Sequence, residues 1–339
     1  MKKVSLLISL AGISVIVLIL AMGIGSVPIA PLDTASIILN KVFGLHVGKG
    51  VDEVTQSILI KIRIPRTLLS FISGSGLAIS GVMMQSVLRN PLASSFTLGV
   101  SSGAALGASI AILFGISIFG FLTLSVFGLI AGLLTVFLAL GVAAKIDRNL
   151  QNNSIILTGM AFSLFANAMI TIMLALSKDQ LQRLIYWQMG SFAVKTPKHL
   201  LALFPIVMIG CITSVGYARQ MDIMTLGDEQ AQTSGVEAKR MKWLLLSLSS
   251  VITGSVVSVV GIIGFVDLFT PHIARKMFGA SHKYVIPASA LIGGAFMVLC
   301  DLVARTLIAP LELPVGAITS AIGAPFFIYL YFSRRKGFL

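Results

Sequence analysis

Residues 90–144 contain no Asp, Glu, Lys or Arg, and they read NPLASSFTLGVSSGAALGASIAILFGISIFGFLTLSVFGLIAGLLTVFLALGVAA. A helix that crosses a bilayer needs about 20 predominantly apolar residues, so this segment alone predicts two spans, divided at 115–120. Gly99, Gly103 and Gly107 recur every four residues in the first span and predict a close helix–helix contact. The strands of a transmembrane barrel instead alternate polar and apolar residues over about 10 positions. The uninterrupted run therefore predicts an all-α polytopic membrane protein.

The overall composition supports the same class. Only 11% of the 339 residues are charged, 56% are hydrophobic, and the mean hydropathy is +0.99. Soluble domains carry about 25% charged residues, so the composition excludes an ordinary soluble enzyme and a disordered chain. The net charge of +13 does not indicate a nucleic-acid partner in so apolar a chain, and the expected surroundings are membrane lipid.

Apolar runs along the rest of the chain predict about ten transmembrane helices in a single transmembrane domain, 1–339. The first run is interpreted as a span because no small-residue cleavage site follows it. An even number of spans puts both termini on one side, and the larger share of Lys and Arg on that side makes it cytoplasmic. The remaining predicted spans are 4–22, 67–88, 149–177, 199–217, 243–266, 268–274 (too short to cross by itself), 284–300 and 313–333.

The sequence lacks the motifs by which nucleotide-binding, catalytic and metal-binding proteins are usually recognised. No G-x-x-x-x-G-K-[ST] phosphate loop occurs, and no nucleophile stands near a base in the sequence, so no catalytic residue and no cofactor are predicted. Cys211 and Cys300 have no partner spacing, and no metal is assigned to them or to the histidines. An ion-coupled secondary transporter or channel normally needs carboxylates within its spans. Only Asp267 and Asp301 come close, although composition alone leaves that class open.

The longest polar connection on the predicted cytoplasmic side is 218–242, which contains LGDEQAQTSGV at 226–236. Asp228 and Glu229 suit the first turn of a short helix, where carboxylates complement the helix dipole. Gly235 suits its C-terminal cap, and residues 237–242 are expected to begin a second short helix before the seventh span. The segment is either a compact docking surface or an ordinary solvated loop.

Positive residues also occur on the opposite side, against the topological bias. Arg63 and Arg66 flank Pro65 at the start of the second span and share one helix face. They are either part of an outward docking site or interface anchors that extend toward the headgroups. Asp301 and Arg305 are four residues apart at the end of the ninth span, where they are able to neutralise each other.

Polar and small residues line one face of two predicted spans. Ser163, Asn167 and Thr171 recur every four residues in the fifth span and form a stripe that faces either water or a neighbouring helix. In the tenth span, Gly316 and Ser320 form a small-residue face that suits a wide path or a close helix contact.

Ten short motifs follow one another in a fixed order. They are RIPR at 63–66, GLAISG at 76–81, NPLA at 90–93, LGVSSGA at 98–104, YWQMGSF at 186–192, LGDE at 226–229, GFV at 264–266, PHIAR at 271–275, ELPVG at 312–316 and GAPF at 323–326. In this order the chain closely resembles the FecCD-type permeases, the membrane subunits of ABC importers for iron–siderophores, haem and cobalamin. Three places depart from the family pattern: Ser94-Ser95 replaces an acid–Pro pair, Ser234 replaces Leu, and Asp267 replaces Gly.

The resemblance implies the type II ABC importer permease fold, with ten spans per subunit and two permease subunits around a central path. It implies two cytoplasmic ATP-binding subunits that hydrolyse ATP, so the chain itself is not an enzyme. It also implies an extracytoplasmic substrate-binding protein and a location in the bacterial cell membrane. An iron(III)–siderophore complex is the expected substrate, with haem or cobalamin as the alternative.

The resemblance also implies roles for individual residues. The 226–236 segment is expected to contact the ATP-binding subunit, and outer arginines are expected to dock the binding protein. Two cytoplasmic turns are expected to form gates, and spans five and ten are expected to line the path. The coupling residues are Leu226, Gly227, Asp228, Glu229, Gly235 and Val236; the docking residues are Arg63, Arg66 and Arg305; the gate residues are Asn90, Leu92 and, by a looser alignment, Asn152 and Asn153; the path residues are Ser163, Asn167, Thr171, Gly316 and Ser320.

Overall fold

The structure of the protein is a computed structural model that describes residues 2–25, 29–43, 52–147, 149–176 and 180–335. Within these ranges every regular element is helical, which confirms the predicted all-α class. The predicted end of the fifth span, Ser177, lies outside the described residues. The described α-helices are α1 Lys2–Gly23, α2 Pro31–Phe43, α3 Glu53–Ile58, α4 Ile64–Val87, α5 Val100–Leu113, α6 Thr123–Ile146, α7 Asn152–Leu176, α8 Leu181–Gln188, α9 Pro197–Gly216, α10 Ala218–Met224, α11 Asp228–Thr233, α12 Ala238–Val260, α13 Val266–Phe278, α14 His282–Thr306 and α15 Val315–Arg335.

The helix lengths match the predicted series of spans. In the described part of the chain, seven helical segments are long and apolar enough to cross a membrane: α1, Glu53–Val87, Gly120–Ile146, α7, α9, α12 and α14. The shorter apolar helices α5 and α15 add two more, and α13 stands where the short eighth span is predicted. Nine apolar segments and the short helix α13 therefore follow one another in the predicted order.

The third span is shorter than predicted. Residues 88–99 form turns, and the helix begins only at Val100. Within this stretch the Asn90 side-chain oxygen accepts a hydrogen bond from the backbone N–H of Leu92 at 2.9 Å, which stabilises a turn. Gly99 precedes the helix with a φ of +80°, a left-handed conformation that glycine adopts without strain. Gly99 thus caps α5 instead of lying within it, but like Gly103 it lies against Thr135 of α6, so the predicted close helix–helix contact is confirmed.

The boundaries of the seventh span also differ from the prediction. α12 begins at Ala238, so residues 238–242 are its first turn rather than a separate short helix. The two short helices of the polar connection are instead α10 and α11. α12 ends at Val260, because Gly261 has a φ of +84° and turns the chain out of the helix. An irregular stretch, 261–265, then leads into α13.

Helix α4 lies at the centre of the bundle. Residues 73–87 of this helix are all buried, against α9, α12, α13 and α14. Glycines allow these helices to approach closely, since a Cβ added to Gly74 would collide with the backbone of Gly293 and one added to Gly81 with the backbone of Asp267. In contrast, α7 and α15 expose large apolar side chains such as Leu164 and Ile328, as expected for helices that face hydrocarbon or another apolar subunit.

Candidate functional site

The first candidate site is a cavity of about 520 Å³ beside α15, which we call the Phe265 cavity. Its wall is built mainly from irregular stretches that interrupt the helices. Two of the predicted path residues, Gly316 and Ser320, line it, whereas the α7 stripe does not. The lining residues are Ser94, Phe96, Gln188, Met189, Ile262, Gly264, Phe265, Leu268, Pro314, Gly316, Ala317 and Ser320.

Near Gly316, the wall of this cavity is formed by backbone segments that pack closely against one another. A Cβ at this position would lie 2.7 Å from the carbonyl oxygens of both Ile262 and Met189. Next to it, the backbone N–H of Val315 donates a hydrogen bond to the carbonyl oxygen of Gly190 at 3.0 Å. Gly316 therefore joins α15 to two irregular stretches, and this packing requires a residue without a side chain.

The α7 stripe divides into two kinds of position. The Ser163 hydroxyl donates a hydrogen bond to the carbonyl oxygen of Phe96 at 3.0 Å, which ties α7 to the stretch before α5. Asn167 and Thr171 are exposed, and the Thr171 hydroxyl donates only to the Asn167 carbonyl oxygen within the same helix. Ser163 thus contributes to packing, and Asn167 and Thr171 present polar groups at the bundle surface.

A second cavity, of about 510 Å³, lies at the end of the bundle that carries the polar connection. We call it the Asn152 cavity. It brings Asn90, Asn152 and Asn153, all predicted gate residues, to one place together with Asp228 of the predicted coupling segment. Leu92 lies nearby in the same turn as Asn90 and is 49% exposed. The residues that line the Asn152 cavity are Leu88, Arg89, Asn90, Gln151, Asn152, Asn153, Ile156 and Asp228.

Two turns form the rim of the Asn152 cavity, and a hydrogen bond joins them. The Asn152 side-chain amide donates to the carbonyl oxygen of Leu88 at 2.9 Å. The turn before α7 is held by Asp147, whose carboxylate accepts the backbone N–H groups of Asn149 and Gln151, each at 2.9 Å. These backbone donors hold the pKa of Asp147 below its usual range, because they stabilise the ionised carboxylate.

The segment predicted to contact an ATP-binding subunit, 226–236, has the local geometry that its sequence predicts; we call it the coupling segment. α11 begins at Asp228, with Asp228 and Glu229 in its first turn. Gly235 follows the helix with a φ of +79°. The backbone N–H of Val236 donates to the carbonyl oxygen of Ala231 at 2.8 Å, and that of Gly235 donates to Gln232 at 3.0 Å. This pair of hydrogen bonds is a Schellman motif, so the predicted capping position of Gly235 is confirmed.

The three predicted docking arginines gather at the opposite end of the bundle. Arg66 pairs with Asp301 at 2.8 Å and with Glu312 at 2.7 Å. Arg305 lies 3.8 Å from Asp301, so Arg66 rather than Arg305 is the close partner of this carboxylate. The Arg66 side chain is 12% exposed, and that of Glu312 is 35% exposed. Glu312 is therefore the more accessible part of this network.

Arg63 and Arg305 stabilise the C-terminal end of α1. Arg63 donates hydrogen bonds to the carbonyl oxygens of Met22 and Gly23, at 3.2 and 2.9 Å. Arg305 donates to the carbonyl oxygen of Ala21. The last carbonyls of a helix have no partner within it and carry partial negative charge, so both arginines complement the end of this helix. Both side chains are largely buried.

Two of the departures from the family pattern contact each other. Asp267 is 1% exposed, and its Oδ2 accepts hydrogen bonds from the Ser95 backbone N–H at 2.9 Å and from the Ser95 hydroxyl at 2.7 Å. A proline at position 95 would have no N–H to donate, and a glycine at position 267 would have no side-chain carboxylate to accept it. Together these residues fix the stretch before α5 to α13, beside the Phe265 cavity.

The fold also assembles Ser86, His282 and Asp222, which no local motif connects. His282 contacts the Ser86 hydroxyl through Nε2 and Asp222 through Nδ1 at 2.5 Å. The sequence shows no nucleophile beside a base, because these three residues lie on separate helices. However, Ser86 is 2% exposed and His282 is 1% exposed, so a substrate has no access to this hydroxyl. The trio joins α10, α14 and the end of α4.

The bundle of long apolar helices, with a cavity at each of two irregular regions, defines the class: a multi-pass membrane protein. The chain belongs to the FecCD transport family, whose family model matches residues 13–333. It is thus an ABC importer permease of the plasma membrane, and its relatives are transport permease subunits.

Individual relatives cover most of the chain. It is 39% identical over 286 residues to the cobalamin import system permease protein of Halobacterium salinarum, covering 84% of this chain and 76% of that protein. It is 34% identical over 335 residues to an Fe(3+)-citrate import system permease protein of Bacillus subtilis, covering 96% and 95%. Its fold matches a metal-chelate type ABC transporter in an inward-facing conformation, with a TM-score of 0.84 and 30% identity over 97% of this chain and 99% of that one.

We predict that Ser95 and Asp267 stabilise the bundle as one unit. Asp267→Ala leaves the buried Ser95 N–H and hydroxyl without an acceptor and should cost about 1–3 kcal/mol of stability. Ser95→Ala alone should cost less. In the double variant, the loss should not exceed that of Asp267→Ala, because the partner is already absent. The thermal unfolding midpoint is measured in detergent for the parent, both single variants and the double variant. Additive losses of stability in the double variant would contradict the prediction.

Proposed function

We propose that the chain forms the translocation path for an iron(III)–siderophore complex, driven by ATP hydrolysis in separate subunits. The observation that carries the proposal is the Asn152 cavity. It combines the turns of the gate residues Asn90 and Asn152 with Asp228, a residue of the coupling segment. An importer driven by a separate ATPase needs such a junction between the docking segment and the closure of the path.

The lining of the Phe265 cavity supports a bulky and weakly held substrate. Its described lining residues carry no charged side chain, and several are large and apolar, including Phe96, Phe265 and Leu268. Such a wall lets a chelate pass without holding it. The ferric citrate permease among the relatives favours an iron chelate, and the cobalamin permease makes cobalamin the second candidate, with haem in the same group.

The proposed assembly contains two permease subunits, two ATP-binding subunits and an extracytoplasmic binding protein. Leu226, which is 68% exposed, and the rest of the 226–236 segment contact the ATP-binding subunit, so that end and both termini lie in the cytoplasm. The exposed apolar surfaces of α7 and α15 face the second permease subunit and the path. Asn167 and Thr171 would then line the path in the dimer.

Transport by the reconstituted complex tests this function. The full chain is purified together with its ATP-binding subunit and its binding protein, and the complex is reconstituted in liposomes. Uptake of radioactive ferric citrate, cyanocobalamin and haemin is then compared, with and without ATP. We expect ATP-dependent uptake of ferric citrate that persists when ionophores collapse all ion gradients. Uptake that stops under ionophores at constant ATP would instead favour an ion-coupled secondary transporter.

The cap of α11 offers a prediction about coupling. Gly235→Val forces a β-branched side chain into the left-handed region, which costs about 1–2 kcal/mol, so the segment should leave its docked geometry. Uptake per ATP hydrolysed should then fall about fivefold or more. Gly235→Asn is the matched control because asparagine tolerates this conformation. Equal coupling in both variants, at equal expression, would argue against a role of this segment in coupling.

The arginine network offers a prediction about docking. We propose that a carboxylate of the binding protein approaches Arg66 and competes with Glu312, while Arg63 and Arg305 keep the surroundings positive. Arg66→Gln should weaken binding of the binding protein about tenfold, with a smaller effect at high salt. Glu312→Gln should strengthen binding, because it removes the competing carboxylate. Lys198→Gln, which removes an exposed cation from the first turn of α9, is the control. Unchanged affinity in both test variants, measured with the reconstituted complex, would contradict the docking role.

A further inference from the structure

Lys242 is a buried cation in the first turns of α12, with a side chain that is 1% exposed. Lysine is almost never fully buried unless it is paired. Its Nζ donates a hydrogen bond to Asp228 Oδ2 at 2.7 Å and another to the carbonyl oxygen of Leu150 at 2.8 Å. The ammonium group therefore has two close partners, and both lie outside its own helix.

The two partners of Lys242 belong to segments with different proposed roles. Asp228 is the first residue of α11, in the coupling segment. Leu150 directly precedes the turn of Gln151 and Asn152 at the rim of the Asn152 cavity. Leu150 is fully buried and has a φ of +51°, a conformation that a leucine keeps only when its surroundings impose it. The hydrogen bond from Lys242 contributes to that constraint.

Asp228 also contacts the other gate turn. Its Oδ1 lies 3.5 Å from Arg89 Nη2. Arg89 directly precedes Asn90 and likewise has a positive φ, +49°. One carboxylate of the coupling segment thus contacts two cations, and through them it reaches both turns that line the Asn152 cavity.

From this arrangement we propose that Lys242 is a positioning residue that transmits movement of the coupling segment to the gate turns. The proposal rests on the proposed function, since it assumes that an ATP-binding subunit moves α11. When α11 shifts, Asp228 moves with it. Lys242 must then follow Asp228, because a buried lysine without its carboxylate partner is strongly unfavourable. The Leu150 carbonyl follows Lys242, and the Asn152 amide carries the displacement to the Leu88 turn.

A purely structural role for Lys242 leads to a different expectation. If the pair only neutralised a buried charge, removal of both charges would restore normal behaviour, because replacing a complete buried ion pair by uncharged groups is often neutral. If Lys242 transmits movement, the double variant regains stability but stays uncoupled. The double variant Asp228→Asn with Lys242→Met therefore distinguishes the two roles.

The test measures gate movement directly and does not require the transported substrate. The full chain, with Cys211→Ser and Cys300→Ser and a reporter Asn153→Cys, is purified with its ATP-binding subunit. The reporter reacts with a charged maleimide, with and without Mg-ATP and vanadate. The variants are Lys242→Met, Asp228→Asn and their combination. Lys239→Met, which removes an exposed cation from the same end of α12, is the matched control.

We expect nucleotide to change the labelling rate by about fivefold or more in the parent and in Lys239→Met, and by less than about twofold in the three test variants. A nucleotide response that persists in Lys242→Met, or that returns in the double variant, would overturn the transmitting role. Asp228→Asn, at a partly exposed site, decides the question if Lys242→Met does not accumulate. A parent complex without any response would contradict the proposed function itself, so the two failures are distinguishable.

Discussion

A single constraint governs this structure: a backbone polar group in hydrocarbon has no water to bind, so it must find its partner within the protein. Long helices meet this requirement by themselves. The stretches 88–99 and 261–265 do not, and they are tolerated because the bundle surrounds them and supplies partners. The Ser191 N–H, for instance, donates to the carbonyl oxygen of Val260 at 2.8 Å where α12 ends. Both cavities are lined partly by such irregular stretches, which present backbone groups and small side chains.

The same constraint explains why glycine contacts surround α4. Irregular backbone is shielded only if the neighbouring helices approach closely, and Gly74 and Gly81 permit that approach against α14 and α13. The contact between Ser95 and Asp267 adds a polar tie to this packing. Tight packing of this kind makes the centre of the bundle rigid. Movement during transport is therefore expected at its ends and at the peripheral helices α7 and α15.

Charged groups are concentrated at the two ends of the bundle, and most of the buried ones are paired. Arg66 holds two carboxylates at one end, and Asp228 holds two cations at the other. Each network combines a buried member with a more exposed one, Asp301 with Glu312 and Lys242 with Arg89. In the proposed assembly, a partner that displaced the exposed member would also affect the buried one. The docking proposed at each end relies on this shared arrangement, with opposite requirements for charge.

The sequence alone determined the membrane class, the number of spans and the local geometry around Asp228 and Gly235, because hydropathy and helix caps act within a few residues. It did not reveal that the third span begins at Val100 or that α12 ends at Val260, since both runs remain apolar across these points. Only the tertiary structure paired Arg66 with Asp301, 235 residues away, and Lys242 with both Asp228 and Leu150. Such pairings depend on which helices pack side by side, and no signal along the chain records that arrangement.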